Sequence, residues 1–175
     1  MKEWQILLSG SGGQGLGLAG KILAEAALHR GLNAAHSQSY GAQARGGYSA
    51  SGIVIGSRKI AFPLIEKPNL LLALTAEAYH KNAPQLAEGG HIIFDSDTLP
   101  LSPGQRLYGF PLARTARELG NEKGVAILSL GIITALFGLV GPQDAEKAIA
   151  ENLPPALLEA NLRCYRNGLI TSDGS

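Results

Sequence analysis

Six residues near the start of the chain, Gly10-Ser11-Gly12-Gly13-Gln14-Gly15, constrain its fold more than any other stretch. The apolar run from Trp4 to Ser9 before them reads as a buried strand. Behind them Leu18, Ile22, Leu23, Ala26 and Ala27 recur at helical spacing from Leu16 to about Arg30, with Gly31 as the stop. A strand that turns through glycines into a helix leaves backbone N–H groups without partners at the positive end of the helix dipole. Such a turn suits an anionic group or the carbonyls of another chain.

Two familiar labels fit the spacing formally, and both fail on a second residue. The G-x-G-x-x-G pattern of dinucleotide sites wants a carboxylate about 20 positions on, for the ribose hydroxyls. The corresponding segment is Leu32-Asn33-Ala34-Ala35-His36-Ser37-Gln38, with no acid and no arginine. Gly15 to Lys21 has the phosphate-loop spacing, but Ile22 stands where Mg²⁺ needs a hydroxyl.

Further along, strands and helices alternate. Leu32 to Gln38 reads as a short second strand, followed by the polar loop Ser39-Tyr40-Gly41-Ala42-Gln43-Ala44-Arg45-Gly46-Gly47. Tyr48 to Ile55 alternates as a strand, and Gly56-Ser57 suggests a hairpin turn into a return strand from Arg58 to Phe62. Asn69 to Thr75 and His91 to Asp95 are apolar enough for strands covered on both faces, as in a parallel sheet. A shorter strand is expected at Arg106 to Phe110. Helices are expected at Ala76–Leu86 with a break near Pro84, Pro111–Leu119, Lys123–Val140, Pro142–Glu151 and Pro154–Gly168. The fold class that follows is α/β: a three-layer α/β/α arrangement around a Rossmann-like, mostly parallel sheet made mixed by a β-hairpin. Residues 1–175 are expected to form a single domain.

Composition narrows the function. The chain is 45% apolar and only 17% charged, which hints that other chains cover part of its surface. A net charge of +1 gives no argument for nucleic acid or for an anionic membrane. The single cysteine, Cys164, forms no intrachain disulfide and ligates no iron–sulfur cluster alone, and it suits a reducing cytoplasm. The first residues, Met1-Lys2-Glu3-Trp4, lack a signal-peptide layout, and Val125 to Val140 falls short of the roughly 20 residues that span a bilayer. Its apolar residues run nearly all round the helix, so it is buried in the core or under another chain. The histidines His29, His36 and His80 have no ligand partner at i+3 or i+4, and His91 has only Asp95, four residues on along an expected strand, where that spacing spans roughly 13 Å. Asp95 and Asp97 follow a strand end and could hold Mg²⁺, although an Asx turn accounts for them more simply. No nucleophile–base pair is readable, so no catalytic residue and no metal ligand is assigned.

What remains is a pair of glycine-rich segments at one sheet edge. A structureless loop as long as the second is usually functional. Its Gly46-Gly47 permits close backbone approach, and Arg45 between small residues is exposed by default. The candidate binding residues are Gly10, Gly12, Gly13, Gln14 and Gly15 from the first segment, and Ser39, Tyr40, Gly41, Gln43, Arg45, Gly46 and Gly47 from the second.

Taken together, G-S-G-G-Q-G, the helix with Ile22-Leu23-Ala24-Glu25-Ala26-Ala27, and S-Y-G-A-Q-A-R-G-G resemble the gamma subunit of 2-oxoacid:ferredoxin oxidoreductases. The resemblance continues through Phe62-Pro63, Leu70 to Leu74, Gly89-Gly90, Leu130-Gly131, Asn161 and Gly168, nearly the whole chain. Tyr40 resembles the 2-oxoglutarate and pyruvate branch, since the indolepyruvate branch usually has histidine there. The chain departs from the family at Gln43, where an acidic residue is common, and at Ala126, where asparagine is frequent. The resemblance implies a cytoplasmic subunit without independent activity, within an enzyme that converts a 2-oxoacid, coenzyme A and oxidised ferredoxin into acyl-CoA, CO₂ and reduced ferredoxin. Thiamine diphosphate, Mg²⁺ and iron–sulfur clusters would lie in alpha and beta partner subunits, with a delta subunit where one exists. The two glycine segments would face a partner's cofactor or an anionic part of coenzyme A. The alternative reading is a stand-alone Rossmann-like nucleotide-binding protein.

Overall fold

The computed structural model describes residues 2–40 and 47–172, with Ser39 and Tyr40 described in their backbone. Six strands form one sheet in the order β2-β3-β1-β4-β5-β6. They are β1 (Trp4–Ser11), β2 (Asn33–Tyr40), β3 (Tyr48–Gly56), β4 (Leu70–Ala73), β5 (His91–Asp95) and β6 (Leu107–Phe110). The pairs β1/β4, β4/β5 and β5/β6 are parallel, whereas β3 runs antiparallel to both β1 and β2. The sheet is therefore mixed, as expected, but a different hairpin makes it so. Residues 58–62 form no return strand, and β3 instead receives β2 on one side and β1 on the other. Gly56-Ser57 signalled the end of a strand, and the chain then leaves the sheet through a connector rich in proline and exposed side chains.

Helix α1 (Leu16–His29) ends as its glycine foretells: Gly31 adopts φ +82°, and the N–H groups of Gly31 and Leu32 close back on the carbonyls of Leu28 and Ala27. Helix α2 (Ala76–Asn82) starts at Thr75, whose hydroxyl accepts the Ala78 N–H at 3.1 Å. A 3₁₀ turn over Ala83–Gln85 accommodates Pro84. Helices α3 (Leu112–Glu118), α4 (Val125–Phe137), α5 (Pro142–Asn152) and α6 (Pro155–Thr171) complete the order.

Alternation along the central strands sorts the core. Ile6, Leu8, Ile53, Ile55, Leu70, Leu72 and Ile93 point to one face, beneath α1, α3 and α4, with α5 and α6 packed outside. Leu71, Ala73, Ile92 and Phe94 point to the other, beneath α2 and the segment around Leu99. These layers match the expected α/β/α class. The most apolar helix, α4, lies inside: every residue from Val125 to Thr134 is buried. No helix among the described residues is long and apolar enough to cross a membrane.

Candidate functional site

The C-terminal ends of β1 and β4 and the start of β3 share one edge of the sheet, and the two glycine segments meet there. Register does this: Ser11 pairs with Tyr48 and Gly10 with Ser49, so the second segment re-enters the sheet beside the end of β1. The Gly12 N–H then donates to the Gly47 carbonyl at 2.7 Å, latching one segment to the other. Ser39 and Tyr40, expected in the loop, continue β2 in their backbone. Gly41, Gln43, Arg45 and Gly46 lie outside the described residues.

The turn itself depends on conformations open to glycine. Gly13 adopts φ +88°, and Gly15, the residue before α1, adopts φ +77°. No side chain caps α1 at this end. The polar groups of the turn are nonetheless partly spoken for. The Ser11 N–H donates to Gln14 Oε1 at 2.8 Å, the Gln14 N–H donates to the Ser11 carbonyl at 3.3 Å, and the Gly12 N–H serves the latch. Among the described residues, the N–H groups of Gly13 and Gly15 have no acceptor, and the first N–H groups of α1 follow them at the positive end of its dipole. The expected donor set of Gly10 to Gly15 thus narrows to its second half.

Around those donors lie residues that sequence reasoning did not assign to the site. A cavity of about 230 Å³ is lined by Gly13, Gly15, Leu18, Asn121, Lys123, Ala126, Ile127, Leu153, Leu157 and Asn161. The Lys123 carbonyl would lie 3.7 Å from a Cβ on Gly15, so the 3₁₀ turn before α4 packs directly on the start of α1. Ala126 and Asn161, more than 30 positions apart in sequence, both line this cavity. Nothing in local pattern signals that convergence.

Past the latch, Tyr48 reaches toward α2. Its hydroxyl exchanges hydrogen bonds with the Asn82 amide at 3.0 and 3.2 Å, and Lys81 Nζ sits 3.8 Å from its ring centroid. Burial raises the Tyr48 phenol above the usual tyrosine range, so it stays neutral.

The other polar candidates are structural. Asp95 accepts the N–H of Asp97 at 3.0 Å, an Asx turn, and with its second oxygen the N–H of Ala113 at 3.0 Å. Asp97 pairs with Arg114. His36 Nε2 bonds Ser51 Oγ at 2.8 Å beneath α1, and burial followed by the charge of Lys21 lowers its pKa. His29 meets Glu151 at 2.7 Å. Cys164 is fully buried, and burial pushes its thiol up, away from reactive thiolate. Among the described residues no three His, Cys, Asp or Glu side chains converge as a metal site would require.

The topology also disposes of the dinucleotide label. In that fold the strand after the glycine helix lies beside β1 and ends in the ribose-binding acid. Here β3 occupies that place, antiparallel, and presents Gly47 and Tyr48 to the turn instead.

Comparison with known proteins agrees with this geometry. The chain is 39% identical over 170 residues to 2-oxoglutarate synthase subunit KorC of Methanocaldococcus jannaschii, covering 94% of this chain and 91% of that one. It superposes with a TM-score of 0.88 and 37% identity on the gamma subunit of a keto/oxoacid ferredoxin oxidoreductase from Geobacter sulfurreducens, over 99% of this chain and 98% of that one. The 2-oxoglutarate:ferredoxin oxidoreductase of Magnetococcus marinus, solved with 2-oxoglutarate, coenzyme A and succinyl-CoA bound, contains the same fold. There the TM-score is 0.87 at 20% identity, over all of this chain and 32% of the longer one. These likenesses disfavour a stand-alone nucleotide-binding protein and favour a gamma-type subunit of a multi-subunit oxidoreductase. Residues 5–170 match the pyruvate ferredoxin/flavodoxin oxidoreductase family, and the chain belongs to it.

Proposed function

We propose that this chain is the gamma subunit of a cytoplasmic, CoA-acylating 2-oxoacid:ferredoxin oxidoreductase of the 2-oxoglutarate class, acting as a single domain without a catalytic centre of its own. The overall reaction converts 2-oxoacid, coenzyme A and two oxidised ferredoxins into acyl-CoA, CO₂, a proton and two reduced ferredoxins. Thiamine diphosphate, Mg²⁺ and iron–sulfur clusters belong to alpha and beta partners, and to a delta subunit where one exists. The role of this chain is to close over the active-site region and hold an anionic group of coenzyme A or of a partner's cofactor. One observation carries the reading: among the described residues the Gly13 and Gly15 N–H groups have no acceptor, at the start of α1 and in a cavity that Lys123 also lines. Arg45, from the second segment, is the cation assigned to the same anion.

The test is purification of the chain at native abundance, followed by turnover assays of the assembly. A thiamine-binding partner should accompany it, and coenzyme A-dependent reduction of ferredoxin should disappear when this chain is omitted. Isolation of the chain alone, with full activity in the partners without it, would overturn the proposal. Arg45→Ala should raise the KM for coenzyme A about tenfold or more, the usual scale for losing a charge-assisted contact.

A further inference from the structure

Gln14 stands among the candidate binding residues, yet its side chain folds back onto the end of β1. Oε1 takes the Ser11 N–H at 2.8 Å while the Gln14 main-chain N–H reaches the Ser11 carbonyl at 3.3 Å, so one residue holds both main-chain polar groups of Ser11. Gly10 makes the room for it. A Cβ there would come within 2.2 Å of Gln14 Oε1 and 3.1 Å of Leu74 Cβ. The glycine at position 10, whose backbone lies in β1, thus answers to the glutamine four residues later.

We infer that Gln14 is a positioning residue: its carbonyl locks Ser11 at the end of β1, and so fixes where the Gly13 and Gly15 N–H groups are presented. The chemistry is economical. With the Ser11 N–H held by a side chain and the Gly12 N–H by the Gly47 carbonyl, the donors without an acceptor among the described residues are those of Gly13 and Gly15. Were Oε1 absent, the Ser11 N–H would be without an acceptor in a half-buried position, and the turn would be free to present a different set of amides. The inference deepens the proposed function and rests on its reading of the glycine turn as the anion-facing element.

Two measurements separate the lock from the site. The first is hydrogen exchange of the Ser11 amide in the full chain. Gln14→Ala should speed it about tenfold or more, the scale of one lost net hydrogen bond, whereas Gln14→Glu, which keeps an oxygen in place, should leave it slow. Gly10→Ala should speed it as Gln14→Ala does, because the methyl evicts Oε1 although Gln14 is retained. The second is the KM for coenzyme A in the assembled enzyme, expected to rise severalfold in Gln14→Ala with kcat little changed. It should also rise in Gln14→Glu, whose carboxylate repels an anion. Unchanged Ser11 exchange in Gln14→Ala overturns the lock. Faster exchange with an unaltered KM in both variants leaves the lock as a folding device and overturns its positioning role together with the anion reading.

Discussion

Gly131 on α4 and Gly168 on α6 meet backbone to backbone. A Cβ on Gly131 would lie 2.1 Å from the Tyr165 carbonyl and 3.0 Å from the Gly168 Cα, and one on Gly168 would lie 2.2 Å from the Leu128 carbonyl. Neither obstacle is a flexible side-chain tip, so a methyl must push the two helices apart. Gly131→Ala and Gly168→Ala are therefore each expected to destabilise the chain by about 2–3 kcal/mol, in the range of core overpacking. Urea unfolding should show midpoints lowered with little change in slope; midpoints within error of the parent would mean that the helices slide apart freely.

The phenol of Tyr165, fully buried on α6, donates across the same helix pair to Thr134 Oγ1 on α4 at 3.2 Å, and burial pushes its pKa up to about 12. A raised folded pKa contributes stability that is whole below the unfolded value, near 10, and is lost as pH climbs through the folded one. Stability should thus fall between pH 10 and about 12 by at most about 2–3 kcal/mol from this group. Tyr165→Phe should flatten that alkaline limb, at a cost of about 1 kcal/mol at neutral pH for the missing hydrogen bond. Unfolding free energy measured against pH for both proteins decides the point.

On the acid side the sign reverses. Burial depresses His36, and its bond to Ser51 lies under Gly20, where a Cβ would sit 2.0 Å from Ser51 Oγ and 2.7 Å from His36 Nε2. A base with a lowered folded pKa contributes stability that is present above its unfolded value, about 6.5, and is lost as pH falls through the folded one. The melting temperature should decline below about pH 6.5. His36→Gln, neutral and still able to reach Ser51, should remove part of the decline, leaving the share of His91, which burial lowers in the same direction. An unchanged acid slope would show that His36 is solvated when folded.

Asp95, 1% exposed, spends both oxygens on backbone N–H groups, one of them at the start of α3. Asp95→Ala should cost about 2–4 kcal/mol, the sum of a lost cap and a second charge-assisted bond. Asp95→Asn should cost less, because one carbonyl oxygen survives. Added Mg²⁺ should not shift the melting temperature of the parent chain; a saturable rise would return this pair to the metal-binding class.

Much of this architecture was legible because it rests on local chemistry. The glycine turn, the stop at Gly31 and the two-faced apolar strand at Leu70–Leu74 are each written within a few adjacent residues. The partner of β3 was not. Gly56-Ser57 is a valid turn signal, but pairing is decided by which edge is vacant, and β1 and β2 offered better edges than residues 58–62. Gly138 closes α4 in a left-handed conformation at φ +59°, and the close helix contact belongs to Gly131 and Gly168. At the site, the motif located the turn but not which amides are bonded within it, since that depends on the Gln14 fold-back and on a carbonyl 35 positions away. Lys123 and Asn161 join the cavity through helix packing alone, which no window of sequence contains.

The 2.7 Å bond from Gly12 to Gly47 ties the end of β1 to the start of β3, whose other edge carries β2. A group held by Gly13 and Gly15 would therefore be coupled by mass action to the pairing of β1 with β3 and of β3 with β2. Assembly would register as slowed amide exchange as far away as β2, with no contact made there.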